Sequence, residues 1–163
     1  MSTPGAVLLA FLATAGFALN FNLRDRRLLI TAGISGALGY GVFRVTGTYI
    51  AGDSFATFFA ALTVGLLGEF FSRRIKAPSL VMIIPAIVPL VPGGRLYEMM
   101  LYFVQEQFLE SIQKAVETAF IACAIALGIL TASLFSLSLR RMRKENIKGK
   151  EGKRDGRSPA RFF

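Results

Sequence analysis

Residues 85–94 read PAIVPLVPGG, in which Pro85, Pro89 and Pro92 recur at spacings of four and three residues and two glycines follow. Each proline removes a backbone donor and its ring clashes with the preceding turn, so a smooth helix cannot run through this stretch. In lipid, a carbonyl that loses its partner is costly unless protein or water meets it. Broken helices at membrane depth are therefore kept mostly where they line a cavity. The stretch predicts either a binding or gating element or, alternatively, a proline-rich loop between two spans.

The sequence around this stretch is typical of an integral membrane protein. It is 53% hydrophobic with a mean hydropathy of +0.54, and long apolar runs alternate with short charged clusters. We predict an all-α polytopic membrane protein. The apolar runs cover residues 5–23, 28–43, 54–71, 78–92 and 115–139. Because a crossing needs roughly 17 to 25 residues, the first, third and fifth runs are long enough and the second is marginal.

The fourth run contains the prolines and decides the number of crossings. As ideal helix its residues would span only about 22 Å, which is too short to cross alone. If it crosses with an extension through residues 96–104, the basic clusters after the first, third and fifth runs all lie on one face. The positive-inside rule is then obeyed throughout. We therefore predict about five transmembrane helices with a broken fourth span, the N-terminus outside and the C-terminus cytoplasmic.

The chain divides into a transmembrane domain, residues 1–139, and a basic tail, residues 140–163. The tail contains ten Lys or Arg residues and three acids, so it carries +7 of the formal net charge of +9. Such a tail after a span sets orientation and meets anionic headgroups, so we predict a disordered cytoplasmic segment and no nucleic-acid partner. Residues 95–113 are predicted to form an amphipathic helix, lying at the outer interface or acting as a lid over the break.

The residue types argue against catalysis. The sequence has no His and a single Cys, and it shows no nucleophile motif, phosphate loop or usable carboxylate pair. We expect no enzyme activity, no metal and no cofactor. Three carboxylates near span ends, Asp53, Glu69 and Glu117, are candidates for ion coupling. Each also has a structural alternative: a helix cap for Asp53, an ion pair with Arg73 for Glu69, and an interfacial ion pair for Glu117.

Small residues recur at helical spacing in the second, third and fifth runs. Such faces let helix backbones approach closely in lipid. They serve either packing within the chain or assembly with another subunit. The candidate packing residues are Gly33, Gly36, Ala37, Gly41, Gly65 and Gly128.

In their joint order and spacing, several segments resemble the threonine/serine exporter family, specifically its small-subunit type. These segments are GFALNFN at residues 16–22, the glycines of 33–41, SFA at 54–56 and the stretch from Pro85 to Tyr97. The resemblance covers residues 5–138 and leaves the basic tail outside the family pattern. The resemblance implies export of small hydroxy amino acids. It also implies that full-length members have twice as many spans, and that split members divide these spans between a large and a small subunit. A related split pair is associated with dicarboxylate export.

The sequence therefore predicts a membrane subunit of a secondary exporter, most simply for threonine and serine. The alternatives are a dicarboxylate exporter subunit and a non-transporting scaffold for a large subunit. The expected partners are the lipid bilayer, a small-molecule substrate and a large subunit or a second copy. The candidate substrate and gating residues are Pro85, Pro89, Pro92, Gly93, Tyr97, Asn20 and Asn22.

Overall fold

A computed structural model describes residues 3–20, 25–49 and 52–155, and within these ranges the chain is helical with no strand. The predicted all-α class is therefore confirmed. The helices are α1 (Thr3–Asn20), α2 (Arg26–Tyr49), α3 (Asp53–Ile75), α4 (Ser79–Ile87), α5 (Gly93–Val104) and α6 (Phe108–Asp155). A short 3-10 helix, Val88–Leu90, lies between α4 and α5.

Three helical segments are long and apolar enough to cross a membrane: α2, α3 and the part of α6 from Phe108 to Ser138. The segments Ser79–Leu90 and Gly93–Val104 meet the same test together and are bent by 52° at the break, so the described residues contain three or four candidate spans. Helix α1 has 18 residues, about 27 Å of helix, slightly less than the hydrocarbon thickness of about 30 Å. The predicted count of five is thus not reached within the described residues.

Helix α3 lies at the centre of the bundle. It packs against α2, α4 and α6, while α1 packs on α2 and α4, and α5 packs on α6. Small side chains make this arrangement possible. The fully buried side of α3 consists of Ala56, Thr57, Ala60, Ala61, Val64, Gly65, Gly68 and Ser72. Ala60 and Val64 form a cluster with Ala86 and Leu90, which anchors the end of the broken segment in the core.

The small-residue faces are used for packing within the chain. An added Cβ at Gly33 would lie 2.6 Å from a ring carbon of Phe11, and one at Gly65 would lie 2.6 Å from Cβ of Ala132. A Cβ at Gly36 would collide with Thr14 of α1. Ala37 and Gly41 of α2 are only half-buried. These contacts favour packing of the chain against itself over a surface kept for another subunit.

One segment differs from what the sequence predicts. The expected amphipathic helix over residues 95–113 is interrupted, since α5 ends at Val104 and α6 begins at Phe108. Glu106, with a φ of 60°, makes this turn, and its amide donates to the carbonyl of Phe103. In the basic tail, α6 continues as helix to Asp155. Lys, Arg and Glu are good helix formers, so an existing helix propagates readily through them.

Candidate functional site

The break between α4 and α5 is built from two local turns joined by one extended residue. The 3-10 helix Val88–Leu90 follows α4, and Val91 is extended with φ −63° and ψ 129°, as expected for a residue before proline. Pro92, at φ −77° and ψ 55°, occupies the centre of an inverse γ-turn. The Gly93 amide donates a 2.7 Å hydrogen bond to the Val91 carbonyl and so closes this turn. The chain therefore bends here and continues as α5.

The turns supply partners for several carbonyls that the prolines would otherwise leave without one. The Val88 amide donates to the carbonyl of Pro85, and the Val91 amide donates to that of Val88 at 3.2 Å. The Pro92 carbonyl likewise accepts a 3.1 Å hydrogen bond from Leu96. Fewer carbonyls are therefore free to accept a hydrogen bond from a ligand than the three prolines suggest. Side chains around the break are better placed to bind a ligand.

A cavity of about 240 Å³ lies beside the break, and we refer to it as the break cavity. Pro89 and Pro92 form one side of it, whereas Pro85 is buried in α4 and is not among its lining residues. The other walls come from α2, α3, α5 and α6. They are formed by Tyr40, Phe43, Asp53, Thr57, Leu90, Val91, Arg95 and Ile121. The break therefore lies beside a cavity that polar side chains also line.

Charged side chains from three helices form a network that reaches this cavity through Asp53 and Arg95, and we call them the charged cluster. Arg95 of α5 forms ion pairs with Asp53 of α3 and with Glu117 of α6, the latter at 2.9 Å between Nη1 and Oε2. Lys114 extends the cluster to Glu117 at 3.4 Å and to Glu98 at 3.5 Å. Exposed ion pairs of this kind contribute less than about 1 kcal/mol each in water. Their stabilising effect alone is therefore a weak reason for five charges to gather here.

The cluster changes the interpretation of Asp53 and Glu117. Asp53 is the first residue of α3, but its carboxylate makes no capping hydrogen bond at that helix end and pairs with Arg95 instead. Glu117 approaches the same guanidinium from α6. Two of the three predicted coupling residues thus share one arginine at the break cavity.

The third candidate, Glu69, lies at the opposite end of α3, about 24 Å along the helix from Asp53. The Ser136 hydroxyl of α6 donates to Oε2 of Glu69 at 2.8 Å. Arg73 donates to the same hydroxyl and, at 3.1 Å, to the Ser136 carbonyl. Ser136 therefore joins a carboxylate and a guanidinium of α3 to α6, an arrangement that the sequence spacing of Glu69 and Arg73 does not reveal.

Two further cavities adjoin the break cavity. One of about 240 Å³ lies toward α1 and is apolar, and it shares Tyr40 and Pro89 with the break cavity. Another of about 590 Å³ lies at the end of α2 and shares Phe43 and Asp53 with it. Tyr40 and Asp53 therefore each line two of these three cavities.

The remaining predicted site residues lie away from the break cavity or outside the described residues. Gly93 begins α5 with a helical backbone, and an added Cβ there meets nothing within 4 Å. Tyr97 is 68% exposed on α5, and Asn20 is exposed at the end of α1. Asn22 lies outside the described residues. Sequence reasoning missed Arg95 and Tyr40, although a basic residue three positions after Pro92 in an otherwise acidic segment was an available signal for Arg95.

An apolar helical bundle with three or four candidate spans is the architecture of a polytopic membrane protein, and broken helices beside polar cavities are common in transporters. Comparison with known proteins identifies the family. The family described as "Threonine/Serine exporter, ThrE" matches residues 6–135, and the chain belongs to this family.

An uncharacterized protein of Haemophilus influenzae (strain ATCC 51907 / DSM 11121 / KW20 / Rd) is 34% identical over 140 residues. The alignment covers 78% of this chain and 46% of the relative. The chain thus spans about half the length of this relative. No solved structure matches the chain.

Proposed function

We propose that this chain is a membrane subunit of a secondary exporter that moves threonine and serine out of the cell. The observation that supports this most strongly is the break cavity, in which a helix break and groups of both charges meet in a member of this family. Small polar metabolites need such groups because their charges must be met during passage through a low-dielectric layer.

The chain acts, in this proposal, together with a second half of the exporter. It matches about half of its relative's length, and its resemblance is to the small-subunit type. Helix α5 also has no buried residue; it packs mainly on α6 and reaches α3 through the Arg95–Asp53 ion pair. Its apolar side, which carries Leu101 and Val104, therefore offers a surface to a companion subunit, with a second copy of this chain as the other possibility.

We further propose that α1 crosses the membrane and brings the number of crossings to five. The N-terminus then lies outside, and the basic segment after α6 lies in the cytoplasm. In this orientation the charged cluster is on the outer side and the Glu69–Ser136–Arg73 group is on the cytoplasmic side. The outer position suits α5 as a lid, because Arg95 connects α5 to both α3 and α6.

Cysteine labelling tests this orientation. In a Cys123→Ala background, which removes the exposed native thiol, a cysteine at Thr3 is expected to react with a membrane-impermeant maleimide in intact cells. A cysteine at Lys150 is expected to react only after the cells are permeabilised. Reaction at position 150 in intact cells would rule out the five-crossing arrangement.

Efflux measurements test the proposed transport. Cells that lack their own exporters are loaded with labelled threonine, serine or succinate and express this chain, the companion half or both. We expect threonine and serine efflux only from cells with both halves. Succinate efflux without threonine efflux would favour the dicarboxylate alternative. Full efflux from cells that express only the companion half would indicate that this chain is a non-transporting scaffold.

A further inference from the structure

We propose that the break cavity is a zwitterion site, in which Arg95 binds the α-carboxylate of an amino acid and Asp53 binds its α-ammonium group. This inference rests on the proposed export of small metabolites and assigns their recognition to particular side chains. It also makes a statement about ligand chemistry that holds whichever amino acid is carried.

The position of the two charges is the first argument. Arg95 on α5 and Asp53 on α3 line the same cavity and pair with each other in the ligand-free structure. An amino acid carries the complementary charges on two groups bonded to the same carbon, so it can insert between the two side chains and replace one ion pair by two. No charge loses its partner during this exchange.

The guanidinium of Arg95 suits this exchange. Its Nη1 is held by Glu117 at 2.9 Å, while Nη2 faces Asp53. Because an arginine presents several donors in a rigid planar fork, one edge can remain anchored to α6 while another receives a carboxylate. Glu117 therefore acts in this proposal as a positioning residue for Arg95.

The remaining walls fit the rest of a small amino acid. The volume of about 240 Å³ is at or below the lower end of ordinary ligand sites, which favours a small metabolite. Leu90 and Ile121 provide apolar surface, and Tyr40 and Thr57 bring hydroxyl groups to the lining. The Thr57 hydroxyl donates to the Asp53 carbonyl at 2.6 Å, so its oxygen can still accept a hydrogen bond from a ligand hydroxyl.

The sign of the surrounding charge argues against a dicarboxylate. The charged cluster holds three carboxylates, Asp53, Glu98 and Glu117, and two bases, Arg95 and Lys114. A second carboxylate on the ligand would therefore lie against Asp53 or Glu117, and such like-charge contacts are strongly unfavourable. A zwitterion adds no net charge and avoids this contact.

Ligand binding to the full-length chain, co-expressed with its companion half and placed in lipid nanodiscs, tests the inference. The panel contains L-threonine and L-serine, 1-amino-2-propanol, which lacks the carboxylate, 3-hydroxybutyrate, which lacks the ammonium group, and succinate. Binding is read from calorimetry and from the rise in unfolding temperature. We expect threonine and serine to bind, and the three single-function or dicarboxylate ligands to bind about 10- to 100-fold more weakly, the usual effect of losing a hydrogen-bonded charge contact.

Variants of the two charged residues sharpen the test. Arg95→Gln and Asp53→Asn are expected to weaken threonine binding by about 10- to 100-fold. Arg95→Lys keeps the charge without the fork and is expected to retain part of the affinity. Arg74→Gln is the matched control, because it removes an exposed guanidinium from the last turn of α3, at the end remote from the cavity, and it should bind threonine as the unaltered chain does. The unfolding temperature without ligand shows whether each variant is folded.

The outcomes separate the inference from the proposed function. Unchanged threonine binding in folded Arg95→Gln, binding of succinate as tight as that of threonine, or no binding of any amino acid would each overturn the zwitterion site. Efflux of threonine measured in parallel judges the function independently. If amino acids bind through Arg95 and Asp53 but threonine and serine are not exported, the site stands and the proposed function fails.

Discussion

Gly128→Leu is expected to separate α3 from α6 and to cause the largest loss of folded protein of any single change considered. A Cβ at this position would lie 2.8 Å from the Phe58 carbonyl oxygen and 3.0 Å from the Leu62 amide nitrogen. Backbone atoms of a packed helix cannot rotate away, so the two helices must move apart. Overpacking typically costs about 1 to 3 kcal/mol, and we expect the upper end or more here, against a total stability of about 5 to 15 kcal/mol.

The same substitution at Gly16 provides the control. Gly16 lies in α1, is exposed, and an added Cβ there meets nothing within 4 Å. We expect Gly16→Leu to leave the unfolding temperature unchanged or to raise it slightly, since leucine favours helix more than glycine does. The measurement is the fraction of monodisperse protein after extraction and its thermal unfolding. Equal behaviour of the two variants would show that the α3–α6 contact is not as close as described.

Pro89→Ala is expected to leave insertion and abundance intact while most of the efflux is lost. Pro89 lines the break cavity and its apolar neighbour, and it sits within the short 3-10 helix. Alanine restores an amide donor, so α4 can continue as regular helix past Ile87. That change moves Pro92 and Arg95 relative to Asp53, and a displacement of about 1 Å in a site of this kind can reduce a rate by about a hundredfold.

Pro78→Ala is the matched control for the break. Pro78 is exposed and precedes α4 at the end remote from the cavity. We expect this variant to export threonine and serine at the unaltered rate. Membrane abundance, capture of the companion half and efflux should be measured together for both variants. Normal efflux by Pro89→Ala at normal abundance would show that the break is a passive connection between helices.

The break itself was predictable because three prolines and their spacing act locally. Their steric effect on the chain does not depend on the rest of the fold, so the end of α4 and the bend before α5 follow from residues 85–94 alone. The small residues at Gly33, Gly65 and Gly128 likewise predicted close helix packing. Which helix each one meets depended on the tertiary arrangement, and the structure assigns all three to contacts within the chain.

The charged cavity was not predictable from local sequence. Asp53 and Arg95 are separated by 42 residues, and Arg95 and Glu117 by 22 residues, so only the packing of α3, α5 and α6 brings them together. The sequence suggested a cap for Asp53 and an interfacial ion pair for Glu117, which are local solutions. Ser136 was missed for the same reason, because its contacts with Glu69 and Arg73 connect α6 to α3 across more than 60 residues.

The number of crossings was only partly predictable from the sequence. Hydropathy predicted the position of α3 closely, whereas α2 extends six residues beyond the end of its predicted run and α6 begins seven residues before its run. Hydropathy does not decide whether α1 crosses the membrane, because its 18 residues are near the minimum length for a crossing. The turn at Glu106 also escaped the sequence reasoning, because the amphipathic spacing of residues 95–113 is continuous across it.

Flux into sealed liposomes tests the central claim most directly. Liposomes are prepared with this chain, with the companion half, or with both, and are loaded with unlabelled threonine, so that labelled threonine accumulates by exchange if a transporter is present. The account predicts accumulation only with both halves, its loss in Arg95→Gln and its retention in Arg74→Gln. Accumulation by the companion half alone, or full accumulation with Arg95→Gln, would contradict the claim that this chain provides part of the transport path.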